Sequence, residues 1–149
     1  MERLIKQKRT GQSLVEVVVT VAIASLVVVA LVFGAAIGVR NVQFSRNQSR
    51  AMELNRQASE WLRGERRVSW SGLWQRGAAG GRIYCFSGLN FTKARSCTGA
   101  TGDLIDNKFT RQGVLKQANS DKLEITITTS WQDPSGLHKE TITTYLTKY

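Results

Sequence analysis

The chain has 149 residues, a formal net charge of +10, two cysteines and one histidine. This length allows one domain of ordinary size. The sequence contains no metal-ligand cluster, phosphate-binding loop or Ser/His/Asp set, so we predict neither an enzyme nor a cofactor. The positive charge favours an anionic lipid, a polysaccharide or a nucleic acid as a partner, but it does not choose among them.

The chain opens with a basic segment followed by a long apolar run. Residues 1–11 include Lys6, Lys8 and Arg9, and residues 17–39 are 23 consecutive uncharged positions. About 20 apolar residues suffice to span a bilayer as a helix, whereas an ordinary secretory signal has only about 7–15. We therefore expect a leader at residues 1–11 and a membrane helix at residues 12–39.

Two glycines lie near the end of the apolar run. Gly34 and Gly38 have the spacing of a GxxxG pair. Such a pair favours close approach of a second helix or creates a flexible point in its own helix. Glycine is also generally common in membrane helices, so the spacing leaves both readings open.

The helical pattern continues over residues 40–67 but becomes amphipathic. Phe44, Ala51 and Ala58 recur every seven residues, and Leu54 and Trp61 fall between them. This spacing forms one apolar stripe on a polar helix. We predict that the stripe packs against the core of a head formed by residues 68–149.

Residues 68–103 are rich in glycine, serine and tryptophan. They predict a long irregular connection with one strand at residues 82–87. For Trp70 and Trp74, packing over the helix is favoured over a binding surface.

The last forty residues have the clearest β pattern. Residues 122–131 alternate apolar and polar side chains, so that Leu123, Ile125 and Ile127 share one face. Strands at residues 109–118 and 139–147 flank this segment, with turns at residues 119–121 and 132–136. The predicted fold class is α+β, a long N-terminal helix packed on an antiparallel sheet of three to four strands.

Both cysteines, Cys85 and Cys97, follow the apolar run. Their spacing fits neither a CxxC redox motif nor half of a usual zinc site. A disulfide is the natural interpretation if the head lies outside the cytoplasm. The alternative is a pair of free buried thiols.

A carboxylate stands at the head of the apolar run. Burying the charge of Glu16 in a membrane is costly unless another group pairs with it. Cleavage after Gly11 creates a new amine at Gln12, four residues before Glu16. In a staggered stack of parallel helices, that amine can pair with Glu16 of a neighbour, set the axial register and reduce the cost of burial.

Residues 6–39 closely resemble the cleavage and methylation motif of type IV pilins and type II secretion pseudopilins. The shared features are the basic leader ending in Gly11, the apolar helix, and Glu16 as the fifth mature residue. Gln12 replaces the usual apolar first residue, and no proline interrupts the helix. The C-terminal strands resemble, less closely, minor pilins of the pilus-modification type.

The resemblance implies a structural subunit with its N-terminus in the cytoplasm and its head outside. A prepilin peptidase cleaves and methylates such subunits, and an inner-membrane assembly platform polymerises them with other pilins. The final location is then an extracellular pilus or a periplasmic pseudopilus. We expect a minor subunit because of Gln12 and the tryptophan-rich head.

Two other functions remain open. One is a pseudopilin of a secretion or DNA-uptake system whose basic head contacts DNA or another polyanion. Its candidate contacts are arginines near the end of the helix and after it, although a solvated basic face is favoured: Arg63, Arg66, Arg67, Arg76 and Arg82. The other is a membrane-anchored binding domain that never polymerises. His138 lies near the last turn, where we expect a solvated side chain and not a catalytic base.

Overall fold

The computed structural model describes residues 14–148, which divide into two compact units with a boundary between Gln43 and Phe44. The two helices are α1 (Leu14–Val68) and α2 (Trp70–Arg76). The five strands are β1 (Arg82–Cys85), β2 (Leu104–Ile105), β3 (Phe109–Asn119), β4 (Lys122–Asp133) and β5 (Gly136–Thr147).

The first unit is the beginning of α1, up to Gln43. Every side chain from residue 14 to residue 43 is exposed. Of the helices in residues 14–148, α1 is the one long and apolar enough to cross a membrane. The hydroxyls of Thr20 and Ser25 donate to the carbonyls of Val17 and Val21 within the same helix. The helix thus satisfies these polar groups itself, as a lipid environment requires.

The second unit begins with the rest of α1, whose apolar stripe packs on the sheet. Ala51, Leu54, Ala58 and Leu62 are fully buried. The prediction for Trp61 is confirmed, since its half-buried ring packs against the core, but Phe44 is 39% exposed and Leu62 was not predicted. A straight helix packed on a sheet follows a period of 3.6 residues, which takes the buried stripe to Leu62, whereas a strict heptad leads to Trp61.

The sheet is antiparallel and has the strand order β1-β3-β4-β5, with β2 paired to the start of β3. Burial alternates along β4, and Leu123, Ile125 and Ile127 all face the core as predicted. The predicted meander is present as β3, β4 and β5. The α+β fold class is therefore confirmed, with one more strand than predicted.

The segment predicted to be irregular contains a helix, α2. Ser69 caps it, since its hydroxyl oxygen accepts a hydrogen bond from the Gly72 amide at 3.1 Å. Trp70 and Trp74 lie one turn apart, with ring centroids 5.8 Å from each other, and both pack against the core. The prediction was wrong because glycine and serine obscured an N-cap followed by an apolar face.

Strand β2 was also missed. It forms a short hairpin with β3 through a turn in which Asp106 and Asn107 both have φ of 52°. Aspartate and asparagine tolerate this left-handed conformation better than most residues. The Asp-Asn pair was therefore a turn signal present in the sequence.

Candidate assembly site and head surfaces

Glu16 lies in the first turn of α1 and is exposed. A carboxylate there interacts favourably with the partial positive charge of the helix N-terminus. Among residues 14–148, no hydrogen bond or ion pair to Glu16 is present. The helix therefore presents one acidic group at the start of an exposed surface that carries no other charge up to Val39.

The predicted processing residues lie outside the described part of the chain. They are Lys6, Lys8, Arg9, Gly11 and Gln12. Their roles remain predictions.

α1 runs without interruption through Gly34 and Gly38. A Cβ atom added at either glycine would meet no described atom within 4 Å apart from its chain neighbours and the local helix backbone. Packing within residues 14–148 therefore does not require glycine at these positions. Close approach of another helix, or local flexibility, remains the prediction for both.

Cys85 and Cys97 are joined by a disulfide, with an S–S distance of 2.05 Å. The bond links the end of β1 to the loop that precedes β2. It closes a loop of the size for which chain entropy alone contributes about 3 kcal/mol.

Asp103 anchors the same loop from its other end. Its carboxylate is 1% exposed, and it accepts hydrogen bonds from Arg95 at 2.7 and 3.0 Å, from Lys93 at 3.0 Å, and from the Thr98 amide and hydroxyl. The Arg95 guanidinium, the Thr98 amide and the Lys93 ammonium hold the pKa of the Asp103 carboxyl far below its usual range. The loop is thus fixed by one covalent bond and one ionic cluster. The cysteines are evident in the sequence, but the cluster was not predicted because no periodicity relates its four residues.

Arg111 lies on the core side of β3, where it is 3% exposed. Its guanidinium donates to the carbonyls of Phe86 at 3.0 Å and Leu54 at 2.8 Å, which joins strand, loop and helix. Burial, with a smaller contribution from the charge of Arg50, lowers the pKa of Arg111 to about 10. The residue therefore stays protonated at neutral pH. No motif or spacing in the sequence distinguishes Arg111.

The five arginines proposed for polyanion contact lie in different local environments. Arg63 lies 3.9 Å from Glu60, and the Arg66 guanidinium donates to the Thr147 carbonyl. Arg76 stacks over the ring of Phe91 at 4.3 Å. Arg67 is exposed, and Arg82 reaches the Gln75 carbonyl at 3.5 Å. Several of these side chains thus have structural contacts within the head.

His138 is not the solvated side chain that we expected. Its side chain is 25% exposed, its Nε2 lies 2.9 Å from Asp133 Oδ1, and its ring stacks on Trp131 at 5.3 Å. The histidine pairs with Trp131 across β4 and β5, which places both rings on the core side of the sheet. Its contacts therefore support a packing role.

Taken together, the long helix with an apolar first part and the small sheet define an α+β protein of pilin-like architecture. Residues 6–32 match the prokaryotic N-terminal methylation motif, the signature of type IV pilins and pseudopilins. In general, this motif implies processing by a prepilin peptidase and assembly with other pilins. It also fits a membrane-anchored protein of the pilin type, and that family is structural, not enzymatic. Searches among curated proteins and among solved structures gave no match.

Proposed function

We propose that the protein is a minor structural subunit of a type IV pilus or a related filament. A prepilin peptidase cleaves it after Gly11, and the mature chain then assembles through α1. The observation that carries this proposal is the methylation motif at residues 6–32, continuous with a helix whose first 30 described side chains are all exposed. An exposed apolar helix needs lipid before assembly and other helices after it.

Glu16 sets the register between subunits in this proposal. Its carboxylate pairs with the new amine of Gln12 on a neighbouring chain, which reduces the cost of burying both charges among apolar helices. In the described part of the chain, residues 14–148, Glu16 is exposed in the first turn of α1, where a neighbouring chain can reach it. Gly34 and Gly38, which no packing within that part requires, let neighbouring helices approach closely.

The first experiment determines the intact mass and N-terminal sequence after co-expression with a prepilin peptidase. We expect a new N-terminus at Gln12, heavier by one methyl group. A control prepilin shows that the peptidase is active. If Met1 is retained while the control is cut, the proposal is wrong and the membrane-anchored binding domain takes its place.

A second experiment tests the assembly role of Glu16. We expect the Glu16→Gln variant to be cleaved normally and to be missing from filaments sheared from cells, because the amide no longer pairs with a charged amine. Glu60→Gln, an equal change in the second unit, serves as the matched control and should assemble normally. Normal assembly of Glu16→Gln would exclude the proposed pairing.

Contact between the basic head and DNA is the alternative for a secretion or uptake pseudopilin. It predicts binding that weakens steeply as salt increases. The internal contacts of Arg63, Arg76 and Arg82 give this alternative less support than the filament role has.

A further inference from the structure

The sheet has an outer face, turned away from α1, that carries a groove. The groove has a volume of about 730 Å³, within the range of about 300–1,000 Å³ that is usual for ligand sites. It crosses three strands, with Thr110 and Gln112 on β3, Thr128 and Ser130 on β4, and Lys139 on β5. Three adjacent strands span about 10 Å, so the groove is wide enough for an extended chain molecule.

The polar side chains that line this outer-face groove are hydroxyls, amides and lysines, with no carboxylate among them. Lys139 is exposed and supplies the positive charge, whereas the ammonium of Lys108, another lining residue, donates to Asn47 on α1 at 3.0 Å. Leu137, 60% exposed, adds an apolar contact surface. The groove thus offers positive charge, neutral hydrogen-bonding groups and an apolar patch, and it has no acidic group that would repel an anion.

One wall of the outer-face groove is fixed in place. It consists of Cys97, Thr98 and Gly99. The disulfide holds Cys97 to β1, and Asp103 holds both the amide and the hydroxyl of Thr98. A wall fixed before a ligand arrives reduces the entropy lost on binding.

We propose that the outer-face groove binds an acidic glycan, a polysaccharide that carries carboxylates on its sugar rings. Lys139 matches a carboxylate, the threonine, serine and glutamine side chains match the sugar hydroxyls, and Leu137 packs against the C–H groups of a ring. Proteins that bind single-stranded nucleic acid stack the bases on aromatic rings. The one aromatic residue in the lining, Trp131, is 2% exposed, so the groove offers no ring on which bases could stack. The inference concerns the head and does not depend on filament assembly.

The test measures binding of an oligouronate to the full chain in detergent micelles by isothermal titration calorimetry. A neutral oligoglucose of equal length and a single-stranded oligonucleotide are compared under the same conditions. We expect the oligouronate to bind most tightly. Lys139→Glu should weaken this binding about tenfold or more, since it replaces a charge-assisted hydrogen bond with repulsion.

Lys116→Glu is the matched control, because Lys116 lies on the same face of β3 but outside the groove. It changes the net charge equally and should have a much smaller effect. Ser130→Ala should weaken binding severalfold without changing the charge, a result that general electrostatic attraction does not predict. Near-ultraviolet circular dichroism verifies that each variant is folded.

Three results would overturn the proposal. The first is equal weakening by Lys139→Glu and Lys116→Glu, and the second is binding of the neutral oligoglucose as tight as that of the oligouronate. The third is that the oligonucleotide binds more tightly than the oligouronate and that Lys139→Glu weakens its binding. That result would assign the groove to nucleic acid. None of these results bears on cleavage after Gly11, so this proposal can fail without the filament proposal.

Discussion

Residues 14–43 and residues 44–68 belong to the same helix, yet their apolar side chains have different surroundings. In the first stretch valines, leucines and isoleucines are exposed all around the helix, as with Leu31 at 67%. In the second stretch Ala51, Leu54, Ala58 and Leu62 are fully buried against the sheet. The two parts of one helix thus have different environments. Apolar side chains become buried where the sequence changes from an apolar run to an amphipathic stripe.

This difference shows where the stability of the head originates. The second unit has its own core, a disulfide and the Asp103 cluster, all formed by residues 44–148. The first unit has no buried side chain among its described residues. Changes in the head should therefore alter its unfolding, whereas equal changes in residues 14–43 should leave it unaffected.

The largest expected effect comes from the same substitution made once in each region. Leu115→Ala removes a fully buried side chain, so it should lower the free energy of unfolding by about 2–5 kcal/mol. Leu31→Ala should cause almost no change. Thermal unfolding of the full chain in micelles, followed by near-ultraviolet circular dichroism, measures both. Equal destabilisation by the two variants would mean that the units are not independent.

The next largest effect should follow loss of the disulfide. The double variant Cys85→Ala/Cys97→Ala should lose about 3 kcal/mol of stability, because the unfolded chain gains the freedom of the opened loop. Reductant should produce a similar loss in the original protein and none in the double variant. A double variant as stable as the original would show that the Asp103 cluster alone is enough to hold the loop.

The sequence predicted the regular elements of both regions well. Uninterrupted apolar character marked the first part of α1, and alternation along β4 placed Leu123, Ile125 and Ile127 on the core side. These patterns are visible because helix and strand repeat at fixed periods. Helix α2 was not predicted because Gly72 and Ser69 suggested a loop, although Ser69 is the N-cap of this helix.

The sites that depend on several distant segments were not predictable in this way. Asp103 meets Lys93, Arg95 and Thr98 only because the loop folds back on itself. The outer-face groove needs the register of three strands together with the wall at Thr98. Arg111 occupies a position that alternation assigns to the core, but its pairing with two carbonyls requires the final packing.

A smaller effect, dependent on pH, is expected at Asp103. Because its pKa is lowered from the ordinary value of 3.8, the ionised carboxylate stabilises the fold at neutral pH. This stabilisation is lost progressively as the pH falls below about 4, since the unfolded chain then takes up the proton first. Asp103→Asn should therefore lower the melting temperature most at neutral pH, and the difference should shrink in acid. The exposed Asp121→Asn is the control, and a difference that does not vary with pH would contradict the role of the charge.

The smallest effect is expected at the ion pair between Arg50 and Asp106, which are 2.8 Å apart and about half-exposed. A double-mutant cycle with Arg50→Gln and Asp106→Asn measures their coupling, and asparagine is chosen because it tolerates the positive φ at this position. Solvent screens such pairs, so we expect about 0.2–1 kcal/mol, decreasing with added salt. A coupling well above this range would mean that charge pairing across the helix and the β2–β3 turn, in addition to the buried stripe, holds α1 on the sheet. A value within this range or lower would leave the stripe from Ala51 to Leu62 as the main source of that attachment, as the contrast between the two parts of α1 predicts.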